Sequence, residues 1–279
     1  MKTESKAINH LAAHSLLQKA MENLRPLLDR ASRELVELAE KGQLRSQSNE
    51  QMWEFEFYDY DVFTHACATI SAVDRLQQSQ QFIRAFPRPR SYEKSKINQH
   101  TWTEYHYSHY VVTFVSLFDI ALILTNSVFR LGNREQDRKE DLIKKNGWVT
   151  QTPVKAALEN LKTLIEPHKP GRNLHVHRGK VQSIAAEMKS EELDRLELIN
   201  SAQMLGEPTI EKEMIDFAYK GHVKKICERL EMERGQVSAA ILRVFDCLLP
   251  IYTEKSNAVH EKWRQVFEKE LERRKNQKK

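Results

Sequence analysis

The chain has 279 residues, of which 40% are hydrophobic and 30% are charged, so it can bury a sizeable core and is not intrinsically disordered. Eight glycines and eight prolines are few for this length, which argues against a turn-rich sandwich or barrel of short strands. The net charge of +5 permits an anionic partner such as RNA but does not require one.

Apolar residues recur at a helical period in the first half of the chain. A first helix is predicted over 8–38, and Pro26 is expected to kink it or divide it in two. Two further helices are predicted, one over 51–86, which prolines end, and one over 98–131, which Gly132 closes.

The second half of the chain has the same helical period with one interruption. The charged stretch 134–145 is predicted to be a linker or a short polar helix, and 166–171 an irregular segment. Helices are predicted over 152–165, 181–205, 209–230 and 236–275. The fold is therefore expected to be all-α, an elongated antiparallel helical bundle.

Three features of the sequence indicate a soluble, cytoplasmic protein with no membrane contact. The three cysteines show no CxxC spacing, which favours reduced thiols over a disulfide framework. The first residues contain no apolar block of signal-peptide length. The longest apolar stretch, 110–124, is shorter than the ~20 residues of a membrane span, so we expect it to be part of a buried core helix.

The segment 168–179 concentrates titratable side chains where the helical pattern breaks. Loops and helix starts that a rigid bundle positions are common places for function. A bare Arg-x4-His spacing is expected about once by chance in a chain of this composition, whereas an asparagine directly after the arginine lowers that expectation to about 0.03. The segment includes His168, Arg172, Asn173, His175, His177 and Arg178.

The run Arg172-Asn173-Leu174-His175-Val176-His177 resembles the R-x4-6-H motif of the HEPN superfamily (higher eukaryotes and prokaryotes nucleotide-binding). In that family a polar residue often follows the arginine, and many members are metal-independent endoribonucleases of toxin, antiphage and RNA-processing systems. The resemblance implies a helical bundle whose active sites form across a symmetric dimer. It also implies a HEPN-like core at 99–205, N-terminal helical elements packed on the bundle over 1–98, and a C-terminal helical extension over 206–279.

These residue types suit the cleavage of RNA without a metal or cofactor. The reaction needs a base for the 2′-hydroxyl, an acid for the 5′-oxygen and positive charge against the developing phosphorane. Histidine titrates near neutral pH, and arginine stays charged and can bind two phosphate oxygens at once. We therefore expect His177 to be the acid or base, Arg172 the phosphate clamp and Asn173 a supporting residue.

The spacing of the motif raises a geometric question. Arg172 and His177 are five residues apart, which is about 500° around an ideal helix, so they do not share a face. Either the first turn is irregular, or the two side chains converge with their symmetry mates across a homodimer. The resemblance favours the homodimer, and two-fold symmetry would supply both copies at one site.

Five further residues are candidates for supporting the motif or contacting RNA: His175, Arg178, Asp119, His106 and His109. Asp119 is the one charge in the apolar stretch 110–124, and an unpaired buried carboxylate is costly, so it needs a partner. The resemblance implies that it orients the motif histidine; a structural ion pair or a surface position are the alternatives. His106 and His109 alternate with aromatic residues, and they either stack bases of single-stranded RNA or form the amphipathic first turn of a core helix.

Two other functions remain open from the sequence. A HEPN scaffold could hold RNA, a nucleotide or a partner protein without turnover. A zinc site of His168, His175 and His177 is a weaker alternative, because no carboxylate or cysteine lies nearby in sequence to complete it. An antitoxin or regulatory partner is possible; however, Gly179 stands where HEPN proteins paired with nucleotidyltransferases usually carry a tyrosine, which argues against that regulation.

Overall fold

A computed structural model of the chain describes residues 10–42, 52–87, 92, 97–133, 140–178, 184, 188, 190–204 and 212–277. Within these residues the regular structure is helical and contains no strand, so the predicted all-α helical bundle is confirmed. The helices are α1 (Ser15–Glu40), α2 (Glu54–Arg84), α3 (Gln99–Phe129), α4 (Glu140–Lys144), α5 (Gly147–Thr150), α6 (Val154–Ile165), α7 (Lys169–Arg178), α8 (Glu191–Met204) and α9 (Lys212–Gln277).

The structure corrects three local expectations. Pro26 lies inside α1, which runs without a break from Ser15 to Glu40, so the proline does not divide the helix. The segment predicted to be irregular is a 3₁₀ turn, Glu166–His168, that leads directly into α7. The two predicted last helices are one helix, α9, because burial on both sides of Gly235 outweighs the ~1 kcal/mol that a glycine costs there.

The described residues pack as two compact units, each assembled from separate stretches of the chain. Unit 1 draws on 1–69, 120–158 and 241–279, and unit 2 on 70–119 and 159–240. Helices α2, α3, α6 and α9 therefore each contribute a segment to both units. The division of the chain at 98 and 205 stays a prediction.

A buried hydrogen-bond network ties α1, α2 and α9 together in unit 1. The fully buried carboxylate of Asp59 accepts hydrogen bonds from the Tyr252 hydroxyl at 2.6 Å, the Ser256 hydroxyl at 2.9 Å and the Asn23 amide at 3.3 Å. Its second oxygen lies 2.6 Å from His260 Nε2. Burial, together with the Asp59 charge, raises the pKa of Tyr252 and keeps its hydroxyl a donor. A buried carboxylate with this many partners is satisfied, so the network is structural.

Two segments of the described part of the chain are long and apolar enough to cross a membrane by length and composition alone. They are α3, with a mean hydropathy of 1.9 in its most apolar window, and Tyr219–Val266 of α9, with 1.2. The protein itself buries 72% of the first window and 50% of the second. Core helices of soluble proteins have the same properties, and the burial of α3 agrees with the core helix predicted for its apolar stretch.

Candidate functional site

The R-x4-H motif lies within a regular helix. Helix α7 begins at Lys169 directly after the 3₁₀ turn, and Pro170 falls in its first turn, where a missing N–H leaves no helical hydrogen bond unmade. The motif therefore begins inside the helix, where the sequence had predicted a break in the helical pattern. Because the first turn is regular, an irregular turn cannot bring Arg172 and His177 onto one face.

The described side chains of the motif differ in exposure. Arg172 is half-buried, and its Nε is fully buried with no hydrogen-bond partner among the described residues. Asn173 is exposed, and position 177 follows it by one turn of the helix. The side chains of His175, His177 and Arg178 lie outside the described residues. Their roles therefore stay predictions, as do those of Arg172 and Asn173.

A buried polar cluster, His168, Arg229, Glu233 and Arg234, lies beside the start of α7 in unit 2. His168 is buried, and its Nε2 is 3.7 Å from Glu233 Oε1. The same carboxylate oxygen accepts a hydrogen bond from Arg229 Nε at 2.8 Å, and Arg234 Nη1 donates to Gln77 Oε1 at 3.3 Å. This cluster connects the turn before the motif helix to the middle of α9.

Several polar atoms around this cluster have no hydrogen-bond partner among the described residues. They are His168 Nδ1, Arg172 Nε, Glu233 Oε2 and Arg234 Nε, four of the seven such buried side-chain atoms in the described part of the chain. Buried polar atoms in folded proteins normally bind protein, water or a ligand. The start of the motif helix is thus the described region with the most unused hydrogen-bonding capacity.

Aromatic residues of α3 form the apolar wall of the cluster. The edge of the Phe114 ring packs against His168 at 4.8 Å between ring centroids, and Tyr110 donates a hydrogen bond to the Leu230 carbonyl at 3.0 Å. Burial, and secondarily the charge of Glu233, raises the pKa of Tyr110 well above its ordinary value. The phenol is therefore neutral and serves as a structural donor.

Asp119 is exposed, which corrects the expectation of a buried carboxylate. The residue falls on the outer face of α3 although its sequence neighbours Leu117 and Phe118 are buried, because adjacent helical positions point about 100° apart. The surface position agrees with this exposure, whereas the structural ion pair stays untested. Whether Asp119 orients the motif histidine stays a prediction.

The predicted RNA-contacting histidines of α3 have different environments. His109 is exposed, whereas His106 is half-buried and stacks on Phe82 at 4.9 Å with its edge toward Trp102 at 4.4 Å. Burial lowers the pKa of His106, and the neighbouring His109 lowers it further. Near neutral pH His106 is thus an uncharged aromatic ring, suited to stacking and not to binding phosphate by charge.

Among the described residues, no group of three histidine, cysteine, aspartate or glutamate side chains is placed to hold a metal ion. The alternative zinc site includes His175 and His177, whose side chains are not among those described, so that alternative is not tested.

The comparison with protein families decides the identity of the fold. Residues 67–243, more than half of the chain, match the family model described as HEPN_Cthe2314-like HEPN. The chain belongs to the HEPN family. Membership confirms the resemblance stated from the motif, and this HEPN match extends beyond the predicted core of 99–205 at both ends. No curated protein and no solved structure matches the chain.

HEPN domains are of a nucleotide-binding or ribonuclease type. In this HEPN protein sequence reasoning missed three residues. Arg229 lies near the end of the helix predicted over 209–230, whereas Glu233 and Arg234 fall in the break predicted after that helix. One signal was available: Arg229 and Glu233 are spaced i, i+4, the separation of a helical ion pair. No local sequence pattern indicated that His168 contacts Glu233.

Proposed function

We propose that this HEPN protein is a metal-independent endoribonuclease. It cleaves RNA by attack of a 2′-hydroxyl on the adjacent phosphodiester and leaves a 2′,3′-cyclic phosphate and a 5′-hydroxyl. One observation supports this most strongly. In this HEPN chain Arg172, Asn173 and His177 all lie on one regular helix. The buried Nε of Arg172 has no hydrogen-bond partner among the described residues.

The proposed roles follow from the chemistry of each side chain. His177 removes the proton from the 2′-hydroxyl or returns one to the 5′-oxygen, a contribution of roughly 10²–10⁴-fold in rate. Arg172 neutralises the phosphorane, because a guanidinium is always charged and its Nε–H and Nη–H can bind two oxygens together. Asn173 binds the phosphate or orients the histidine from one turn away on the same helix.

The active site is proposed to be composite, formed by two copies of α7 in a homodimer. Positions 172 and 177 of a regular helix are about 140° apart, so one copy does not direct both groups at one phosphodiester. A two-fold axis beside the helix would bring the arginine of one protomer to the histidine of the other.

Cleavage of a structured RNA by the purified full-length protein in EDTA tests the proposal. We expect fragments with cyclic phosphate and 5′-hydroxyl ends, and a loss of at least about a hundredfold in rate for His177→Ala and for Arg172→Ala. The matched controls are His10→Ala and Arg25→Ala, which remove exposed residues of the same types. Cleavage that persists in His177→Ala, or that needs a divalent metal, contradicts the proposal.

A second candidate function is a HEPN scaffold that holds RNA, a nucleotide or a partner protein without turnover. Arg172 and His177 are about 140° apart around α7 of one chain. If the protein does not form the required dimer, this separation favours the scaffold function. In the same experiment it predicts RNA binding with no cleavage by the wild-type protein.

The biological setting belongs to the proposal as well. A cytoplasmic ribonuclease of this type would act as a toxin or an antiphage effector, held inactive by an antitoxin or regulatory partner. Induced expression in a bacterial host would then arrest growth, and His177→Ala would abolish the arrest. Growth arrest that is equal for both proteins contradicts this setting.

A further inference from the structure

An exposed aromatic surface lies where the end of α2 meets the start of α3, in unit 2. Tyr105 is 71% exposed and Phe82 is 48% exposed, and the ring of His106 lies between them, 5.2 Å from Tyr105 and 4.9 Å from Phe82. Trp102 holds Phe82 in place, because its indole N–H donates to the Phe82 carbonyl at 2.7 Å. We call these four residues the aromatic platform.

A cleft of about 720 Å³ continues from the platform. Phe86 belongs to both, since it lines the cleft and its ring centroid is 6.0 Å from that of Trp102. Three cations line the cleft, Arg84, Lys220 and Lys224. The arrangement thus places exposed aromatic rings beside a row of positive charges.

The cleft also contains two carboxylates, and their effect decides which ligand fits. Glu231 is 3.8 Å from Arg84, and Glu228 is 3.9 Å from Lys224. Both pairs are solvent-exposed, and such pairs contribute little, so an incoming phosphate can replace the carboxylate as partner of either cation. Lys220 also lines the cleft and is exposed to solvent.

We propose that the aromatic platform and the cleft bind single-stranded RNA. Bases stack on the exposed rings of Phe82 and Tyr105, and the adjoining phosphates contact Lys220 and the cations near it. Only unpaired bases expose their faces to such rings, so a duplex does not fit. This inference rests on the proposed ribonuclease function, for which the site supplies a second contact with the RNA at residues other than those of the motif.

Fluorescence anisotropy with a 2′-O-methyl oligouridylate of about ten nucleotides tests the site without cleavage, because this probe lacks the attacking hydroxyl. We expect Tyr105→Ala and Phe82→Ala each to weaken binding by about tenfold. Phe57→Ala, which removes another exposed phenylalanine, is the matched control and should leave binding unchanged. Tyr105 is the more decisive position, because its exposed ring can be removed without disturbing the core.

Charge variants identify the chemistry of the ligand. Lys220→Glu should weaken binding and reduce its salt dependence, whereas Lys41→Glu, at the exposed lysine that follows α1, should not. Glu231→Gln should tighten binding, because it removes a competitor for Arg84 and lowers repulsion of phosphate. Weaker binding by Glu231→Gln would mean that no phosphate approaches Arg84, and it would overturn the proposal.

Two competitors complete the test. Unlabelled single-stranded RNA should displace the probe, while duplex RNA should not at the same concentration. Displacement by uridine monophosphate as effective as that by the oligomer would overturn the proposal in favour of a mononucleotide pocket.

The outcome is separable from that of the ribonuclease proposal. If His177→Ala abolishes cleavage but the platform variants bind normally, the platform inference fails and the ribonuclease proposal stands. If the platform variants lose binding but the wild-type protein never cleaves RNA, the ribonuclease proposal fails and the binding site stands.

Discussion

The imidazole Nε2 of His168 lies 3.7 Å from Oε1 of Glu233, 65 residues further along the chain. That oxygen is simultaneously the acceptor for Arg229 Nε at 2.8 Å. Because His168 directly precedes α7, the pair holds the start of the motif helix against α9. Arg172 follows His168 by one helical turn, so its position depends on this contact.

We expect Glu233→Ala to lower the free energy of unfolding by about 2 kcal/mol, because it removes the carboxylate that accepts a hydrogen bond from Arg229 Nε in a half-buried place. Urea denaturation followed by circular dichroism measures this. Glu231→Ala, at an exposed glutamate of the same helix, is the control and should change stability by less than about 0.5 kcal/mol. Equal effects of the two substitutions would mean that the cluster contributes no stability.

A composite active site predicts complementation between inactive variants. When Arg172→Ala and His177→Ala proteins exchange protomers, about half of the dimers are mixed, and each mixed dimer contains one intact site of two. Cleavage should therefore recover to about a quarter of the wild-type rate. Absence of recovery, with exchange verified by differently tagged protomers, would exclude a site shared between subunits.

Glu54 provides a test of pH dependence. Hydrogen bonds from Arg130 at 2.5 Å and Lys262 at 3.1 Å lower the pKa of Glu54 from 4.5 to about 2. Because the pKa of Glu54 is lower in the folded state than in the unfolded state, its ionised carboxylate stabilises the folded protein at any pH above the unfolded-state pKa. This stabilisation is lost as the pH falls through the folded-state pKa. The effect is modest, because the residues involved are partly exposed to solvent.

We therefore expect Glu54→Gln to lower the melting temperature at about pH 7 and to differ less and less from wild type as the pH falls toward about 2. Differential scanning calorimetry across this range measures the difference. Glu37→Gln, which removes an exposed glutamate 3.9 Å from Lys41, should match wild type throughout. A difference for Glu54→Gln that stays constant with pH would contradict the assigned ion pairs.

Gly235 should tolerate and benefit from alanine. It lies inside α9, and a Cβ built there meets no atom within 4 Å. Gly235→Ala should therefore raise the free energy of unfolding by about 0.5–1 kcal/mol, since alanine loses less backbone entropy on folding. Gly132→Ala is the contrasting variant and should destabilise, because Gly132 has a φ of +70°, which favours glycine. Destabilisation by Gly235→Ala would mean that the helix is not continuous at this position.

Local sequence patterns were sufficient to predict much of the fold. The prediction of helices over 51–86 and 98–131 matches α2 and α3 to within a few residues, because a 3.6-residue apolar period reports directly on which face is buried. The motif beginning at Arg172 was enough to predict the HEPN family, since its residue types and order are local features. The predicted break between 230 and 236 was wrong, because the cost of about 1 kcal/mol for Gly235 in a helix yields to burial on both sides of it. The irregular segment predicted over 166–171 was wrong because its prolines fall in first turns, where they remove no helical hydrogen bond.

The surroundings of the candidate sites depend on residues that are far apart in sequence. Sequence alone determined that this chain is helical, belongs to the HEPN family and carries its polar motif in the second half of the chain. Tertiary packing decided that His168 meets Glu233, that Asp119 faces outward, and that Phe82 stacks on His106. The physical reason is that helical periodicity specifies which face of each helix is apolar, whereas packing between helices selects the side chains that touch.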